Sequence, residues 1–181
     1  MAGKMKKRRR TGTEAKEEAL RLLNLGANLL AQGQATDALE CLEQAYRLDA
    51  RSVPVCINLG GAYIMCGRHK KAIPVLEAAR DAEPCNAMIW TNLGAAYLGN
   101  PVLATAEQQR RAIDAFETAL QISPAAPNVH YNLGLIFVDR GDRDLAVAAF
   151  RGAVEVNPFD RDARQWLSRL EAAQQKDAEQ P

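Results

Sequence analysis

NLGAAY, at residues 92–97, is one of four related stretches that decide the fold of this chain. The others are NLGANL at 24–29, NLGGAY at 58–63 and NLGLIF at 132–137. Their glycines recur at steps of 34, 34 and 40 residues. A period of this length is typical of a solenoid, in which each repeat is one supersecondary unit stacked on the next. The sequence therefore predicts a chain built from four copies of one unit.

The second copy shows what this unit is. Apolar residues recur at three-and-four spacing on both sides of Gly67, which is typical of two amphipathic helices joined by a tight turn. Pro84 ends the second helix. Pro74 lies inside it, and because proline is tolerated only in the first turn of a helix, we expect this helix to begin late or to bend at its start.

The third unit carries six extra residues. From Gly94 to its matching alanine the separation is 18 residues, against 12 in the second unit. We place the insertion at 99–104, a turn-forming stretch that should lengthen the turn and extend the helix after it. Thr105 and Gln108 have the spacing of a capping box, which should open that helix.

The pattern divides the chain into an arm, four repeats, a capping helix and a tail. The arm should be flexible because it has almost nothing apolar to bury. The last helix should cover the apolar face that the fourth hairpin leaves open. The predicted segments are a basic arm at 1–13, repeats at about 19–52, 53–86, 87–126 and 127–160, a capping helix at 161–175 and a disordered tail at 176–181.

The third unit also carries a complete family motif: Trp90, Leu93, Gly94 and Tyr97 on its first helix, Ala112, Phe116 and Ala119 on its second, and Pro124 after it. This arrangement resembles the tetratricopeptide repeat family. The first unit departs from the pattern, with Leu29 in place of the aromatic residue and Ala50 in place of the proline, as expected of an end repeat. The resemblance implies an all-α fold, a right-handed α-solenoid of helix-turn-helix repeats.

Small residues recur where the two helices of each unit should meet. The repeated glycines have no side chain and the matching alanines have only a methyl group, so the helices can approach closely while larger residues fill the space between neighbouring hairpins. The positions are Gly26, Gly60, Gly94 and Gly134 on the first helices, and Ala38, Ala72, Ala112 and Ala146 on the second helices.

An asparagine precedes the glycine by two positions in every copy. Each one precedes a core leucine and is therefore turned about 100° away from it. The resemblance places this face on the concave groove, where asparagines of some family members hold an extended substrate. An Asn amide can pair with the N–H and C=O groups of a peptide. The open alternative is a hydrogen bond between neighbouring helices. The four residues are Asn24, Asn58, Asn92 and Asn132.

The rest of the predicted groove is nearly uncharged, with Asp139 as the exception. Some family members grip acidic chaperone tails with basic residues on this face, but the matching places here hold Leu23, Met88 and Asn92. An apolar groove with an amide ladder suits an extended or helical partner segment. The further lining residues are Ala27, Ile57, Gly61, Met65, Met88, Thr91, Ala95, Tyr131 and Leu135.

Six of the 23 basic residues lie in the first ten positions, although the formal net charge is only +1. This run has three interpretations: a solvated tail, an electrostatic anchor for nucleic acid or an anionic surface, or a nuclear localisation signal. No aromatic residue is interleaved to stack on bases. The six are Lys4, Lys6, Lys7, Arg8, Arg9 and Arg10.

Other function classes have little support in the sequence. The four cysteines match neither a zinc site nor a dense disulfide framework, and no nucleophile or phosphate-loop motif is present. His130 takes the place of a bulky core residue, which favours a packed imidazole over a catalytic base. No apolar run approaches the roughly 20 residues that cross a bilayer, and no signal peptide is evident, so we expect no membrane insertion and a cytoplasmic protein, or a nuclear one in a eukaryote.

These observations predict a non-enzymatic protein–protein interaction module that needs no cofactor and no metal. We expect it to bind a protein or peptide partner along the groove. Two alternatives stay open: a structural adaptor that self-assembles through its faces or the insertion at 99–104, and an adaptor held on nucleic acid or an anionic surface by the basic arm.

Overall fold

The computed structural model describes residues 12–179, without the side chains of residues 102 and 176–179. Within this range the chain is all-helical, with nine α-helices and one short 3-10 helix, and it forms the predicted solenoid. No helix in the range is long and apolar enough to span a membrane. The helices are α1 Gly12–Ala31, α2 Ala35–Leu48, α3 Val53–Met65, α4 His69–Ala82, α5 Ala87–Leu98, α6 Ala106–Ile122, α7 Val129–Arg140, α8 Arg143–Val156 and α9 Arg161–Glu179.

The helices pack in consecutive hairpins. α1 pairs with α2, α3 with α4, α5 with α6 and α7 with α8, and the second helix of each hairpin packs against the helix that follows it. The first helices also contact one another, α1 against α3 and α3 against α5. No packing of comparable extent joins α2 to α4 or α4 to α6 within residues 12–179. The layer of first helices is therefore the inner, more closely packed side of the solenoid.

Each repeated glycine makes room for one large side chain of its own hairpin. A Cβ added at Gly26, Gly60, Gly94 or Gly134 would lie 2.5–2.7 Å from an atom of the side chain opposite, far inside van der Waals contact. Large residues therefore lie within the hairpins as well as between neighbouring hairpins, whereas the sequence pattern predicted them between hairpins. The side chains opposite the four glycines are Leu42, Leu76, Phe116 and Phe150, in that order, and each is fully buried.

Pro74 does not delay the second helix of its hairpin. α4 begins at His69, five positions before the proline, so the expected late start is wrong. The missing N–H of Pro74 leaves the carbonyl of Lys70 without its intrahelical partner. Both residues are exposed, which allows water to satisfy that carbonyl. The turn before α4 is as predicted, because Gly67 has the positive φ of 69° that favours glycine.

The insertion lengthens both the turn and the helix after it, as predicted. A 3-10 helix, Pro101–Leu103, fills the turn, and α6 has 17 residues against 14 in α4. The capping box is confirmed, because Gln108 N–H donates to Thr105 Oγ1 at 3.3 Å and Thr105 N–H donates to Gln108 Oε1 at 2.9 Å. The 3-10 helix contacts α7, so the inserted residues pack against the fourth hairpin.

α9 covers the end of the array. Trp166 stacks on Phe150 of α8 with the ring centroids 5.7 Å apart, and Ala163 is fully buried beside them. The helix continues to Glu179, four residues beyond the predicted end of the capping helix at 175, and residues 176–179 contain no glycine or proline to end it. At the other end α1 begins at Gly12, and residues 1–11 of the predicted arm lie outside the described range.

Two tyrosines join neighbouring hairpins through the same kind of hydrogen bond. The Tyr63 hydroxyl donates to Glu43 and the Tyr97 hydroxyl to Glu77, each at 2.9 Å and each across 20 residues of sequence. Phe137 takes this place in the fourth repeat and has no hydroxyl group, so the series stops there. These bonds fix the distance between successive hairpins at two of the three joints.

We predict that Gly60→Ala lowers the free energy of unfolding relative to Gly61→Ala by about 1–3 kcal/mol. The added Cβ at Gly60 lies 2.5 Å from Leu76, whereas a Cβ at the adjacent Gly61 meets nothing within 4 Å. Both changes bring the same gain in helix propensity, so the difference isolates the contact. Urea denaturation of the two variants measures it, and equal stabilities would show that the hairpin does not depend on this approach.

We also predict that Tyr63→Phe removes the most alkaline step from the ultraviolet titration of tyrosine. Burial, together with the hydrogen bond to Glu43, raises the pKa of Tyr63 to about 12 from its ordinary value of 10.0. Because the folded state binds this proton more tightly, the resulting stabilisation is complete below pH 10.0 and is lost as the pH rises towards 12.

Glu43→Gln provides a second test of the same bond. Removing the neighbouring carboxylate charge should lower the pKa of Tyr63, because the charge disfavours the phenolate. A titration unchanged in both variants would contradict the assigned contact.

Candidate peptide-binding groove

The predicted groove residues lie on the first helices α1, α3, α5 and α7, of which α1, α3 and α5 pack side by side as the inner layer. Leu59, Leu93 and Leu133 are buried in the cores of their repeats. The asparagine before each of these leucines is consequently turned out of the core and is half-buried. Asn24 is exposed, and Leu25 beside it is 43% exposed.

The asparagine amides bond to backbone carbonyls of the protein. Asn58 Nδ2 donates to the carbonyl of Pro54 in its own helix at 2.9 Å, and Asn132 Nδ2 donates to the carbonyl of Asn128, the N-cap of its own helix, at 2.8 Å. Asn92 Nδ2 reaches the Ile57 carbonyl on the preceding first helix at 3.4 Å. The alternative of bonding between helices thus applies to Asn92. The Oδ1 atoms of these three residues accept no hydrogen bond from residues 12–179, so the acceptor half of each amide faces outward.

Large apolar side chains stand exposed on the same helix faces as the asparagines. Leu20 is 57% exposed and Met88 is 58% exposed, and each precedes its asparagine by four residues, which is about one helical turn. Met65 is 54% exposed and follows Asn58 by seven residues, about two turns. The inner layer therefore presents apolar side chains and amides together on α1, α3 and α5.

The remaining predicted lining residues of the first three hairpins are less accessible. Ile57 and Ala95 pack at the edge of the main core, and Ala27 is half-buried. The Thr91 hydroxyl donates to the Ala87 carbonyl of its own helix at 3.0 Å. Space is open above Gly61. These residues form the floor between the exposed side chains.

The fourth hairpin contributes differently. Tyr131 and Leu135 pack with Phe150 and Trp166 in a second apolar cluster, and the rings of Tyr131 and Phe150 meet edge to face at 5.7 Å. Burial raises the pKa of Tyr131, the acidic residues at the start of α9 adding to the effect. α9 therefore occupies the place where a partner segment would contact these two residues.

The one charged residue predicted in the groove has a partner that sequence reasoning missed. Gln109 on α6 is only 5% exposed and donates from Nε2 to Asp139 Oδ2 at 2.6 Å. The bond joins the third hairpin to the fourth. The pairing left no repeated signal in the sequence, because the matching positions in the first two hairpins hold other residues. These are Ala35 and Ala31 in the first hairpin and His69 and Met65 in the second.

The bulky residue that starts each motif ties the preceding loop to its helix. Trp90 Nε1 donates to the Pro84 carbonyl at 2.7 Å, and His130 Nε2 lies 3.3 Å from the Pro124 carbonyl. Cys56 Sγ reaches the Ala50 carbonyl at 3.6 Å. In all three the partner lies six residues earlier. His130 thus has a structural place in the repeat.

The remaining predictions concern the basic residues, the cysteines and metal binding. The basic residues at 4–10 lie outside the described range, so their three interpretations stay predictions. Cys41, Cys56, Cys66 and Cys85 are free thiols. Residues 12–179 contain no cluster of three or more side chains able to hold a metal ion.

Three family models match the sequence. Two described as tetratricopeptide repeat cover residues 29–98 and 131–180, and one described as TPR repeat covers residues 106–141. Comparison with curated protein sequences gives no match.

Solved structures with this fold include three that span most of the chain. TTC0263, a thermophilic TPR protein of Thermus thermophilus, has a TM-score of 0.73 at 21% identity, over 86% of this chain and 82% of its own. MamA from Desulfovibrio magneticus RS-1, from residue 41 to its end, has a TM-score of 0.65 at 25% identity, over 83% and 81%. PilF of Pseudomonas aeruginosa has a TM-score of 0.71 at 20% identity, over 90% and 71%. The likeness to the first and third shows a shared fold.

Proposed function

The chain belongs to the tetratricopeptide repeat family, and on that premise we propose that it is a non-enzymatic scaffold that binds an extended or helical segment of a protein partner on the inner face of α1, α3 and α5. Proteins of this fold are generally non-catalytic interaction scaffolds. The observation that carries the proposal is the exposure of Leu20, Met65 and Met88 on the helix faces that also carry the asparagines.

Two kinds of contact would hold the segment. The Oδ1 atoms of Asn58 and Asn92 can accept hydrogen bonds from peptide N–H groups whatever side chains the peptide carries. Met65 and Met88 can supply apolar contact, and because methionine is unbranched and flexible it adapts to different side chains. A ligand with apolar side chains at intervals along an accessible backbone fits both features.

The charge of the inner face further limits the kind of partner segment that fits it. Asn92, Met88 and Leu23 stand where a basic clamp would stand, and Leu23 is buried. Asp139 is tied to Gln109. A segment of low charge therefore fits this face better than an acidic tail does.

We predict that the double variant Asn58→Ala/Asn92→Ala binds a selected peptide about thirtyfold more weakly, since two lost hydrogen bonds at about 1 kcal/mol each amount to about 2 kcal/mol. The peptide would come from selection of a random library on the immobilised protein, with affinity measured by calorimetry. Circular dichroism and melting temperature should change little, because both amides are only half-buried, the Asn92 bond to Ile57 is long at 3.4 Å, and Ala favours the helix.

The matched control removes two amides from second helices. Gln44 on α2 and Gln121 on α6 are both exposed, and neither side chain makes a hydrogen bond with residues 12–179. Gln44→Ala/Gln121→Ala should bind like the wild type. Equal binding by the asparagine double variant would remove the amides from the mechanism.

Self-assembly is the second candidate, and one observation favours it. Leu103 in the inserted 3-10 helix is 77% exposed, and this side chain is large enough to anchor a contact with another copy. Light scattering over a concentration series, with Leu103→Ser beside the wild type, separates the two candidates. A mass that stays that of one chain rules out self-assembly, and a rising mass that Leu103→Ser abolishes would assign it to the insertion.

A further inference from the structure

A pocket of about 550 Å³ opens at the edge of the solenoid, away from the inner face. One side is formed by the turn at Gly67 and the first residues of α4. The other side is formed by the end of α5, the insertion and the first turns of α6. None of the predicted groove residues lines it. The insertion supplies Gly99 and Asn100 to its wall.

Every ionisable side chain around the pocket, apart from Tyr97, is basic: Arg68, His69, Lys70, Lys71 and Arg111 line it and no carboxylate does. Within residues 12–179, Arg68, Lys70 and Lys71 form no ion pair. The Glu77 carboxylate accepts a hydrogen bond from Tyr97 and lies 3.8 Å from Arg111. A concave wall with charge of one sign focuses a positive potential into the pocket.

The backbone adds to this potential. The first residues of α4 form part of the wall, and the N-terminus of a helix carries partial positive charge. Arg68 at the N-cap makes no side-chain capping bond, and the first turn of α4 has no acidic residue. The start of this helix thus lacks the negative group that commonly neutralises such an end.

Two side chains of the pocket are notable: one guanidinium is held in a fixed orientation, and one imidazole has a nitrogen without a hydrogen-bond partner. The Arg111 guanidinium lies 4.0 Å from the centre of the Tyr97 ring, a stacked position that holds its donors in a fixed plane. His69 packs against Gly99, and its Nδ1 atom is buried without a hydrogen-bond partner. A buried polar atom without a hydrogen-bond partner is uncommon in folded proteins.

The walls limit what can enter. Ile73, Ala96 and the Tyr97 ring provide an apolar surface, and the volume is that of a site for a small organic molecule rather than for a bare ion. Arginine matches the geometry of phosphate oxygens, and lysine adds further charge. An aromatic or aliphatic body carrying a phosphate group satisfies both parts of the lining.

We propose that this pocket binds a phosphate monoester attached to an apolar or aromatic body, at a site separate from the groove. A free metabolite and a phosphorylated side chain share this chemistry. In either case the phosphate lies among Arg68, Lys70, Lys71 and Arg111, and the body lies against Ile73 and Tyr97.

Calorimetric titration of the full chain with phenyl phosphate tests the proposal. We expect saturable binding that weakens as sodium chloride is added, since the contact is electrostatic. Inorganic phosphate should bind more weakly because it lacks the apolar body. Absence of phenyl phosphate binding at millimolar concentration would overturn the assignment.

A charge-matched pair of variants locates the binding. Arg68→Gln/Lys70→Gln removes two exposed cations that have no ion-pair partner among the described residues, and we expect at least about tenfold weaker binding. The control variant Arg51→Gln/Arg161→Gln removes the same amount of charge from exposed positions that do not line the pocket. Arg51 lies just before the start of α3, whereas the pocket lies beyond the end of α3. This control should bind like the wild type. Equal loss in both pairs, or no loss in the first, would contradict the site.

A single variant and two natural phosphate ligands complete the test. If circular dichroism shows that the first pair does not fold, Lys71→Gln alone provides the test, and we expect it also to weaken the binding of phenyl phosphate. Adenosine monophosphate and a short phosphotyrosine peptide then distinguish the two sources of the phosphate, and tighter binding of either identifies it. The groove asparagine variants should bind phenyl phosphate normally, so the outcome does not depend on the proposed partner segment.

Discussion

Close contact between a glycine on each first helix and a leucine or phenylalanine on the second is the constraint on which the rest of the structure depends. At Gly94 the side chain of Phe116 occupies the space that a Cβ would need, and at Gly60 Leu76 does the same. This contact sets the separation of the helices within a hairpin, and therefore also the position of the first helices relative to one another. The inner face is continuous from α1 to α5, where the same glycine contact recurs in three successive hairpins and the first helices pack on one another.

The insertion changes this regularity and creates a second kind of surface. α7 contacts α6 and the inserted 3-10 helix, Gln109 bonds Asp139 across the same joint, and α9 covers the apolar face of the fourth hairpin. The fourth hairpin is thus committed to internal packing, whereas the first three leave apolar groups and amides exposed. The edge pocket arises where the inserted turn faces the start of α4, and Gly99 and Asn100 of the insertion form part of its wall beside the basic residues of α4 and α6.

Much of this fold can be read from the sequence, because its period, its glycine turns and the capping box at Thr105 are local signals. The interactions across repeats are less visible. The bond from Tyr63 to Glu43 leaves a trace in the sequence, since Tyr97 and Glu77 repeat the same spacing. The rotamer of Asn58 and the docking angle of α9 on Phe150 depend on three-dimensional packing, so the partner of that amide and the covering of Tyr131 could not be predicted. The late start of α4 predicted from Pro74 was wrong because a helix held by tertiary contacts tolerates one missing hydrogen bond.

The most direct test of the central claim is methyl NMR of methionine in the presence of a selected peptide. Met65 and Met88 are the methionines within the described residues, and both lie on the inner face beside the asparagines. The account predicts that both methyl resonances shift and reach a plateau as the peptide saturates the protein. Saturating binding that leaves both resonances unmoved would place the partner elsewhere on the molecule and contradict the account.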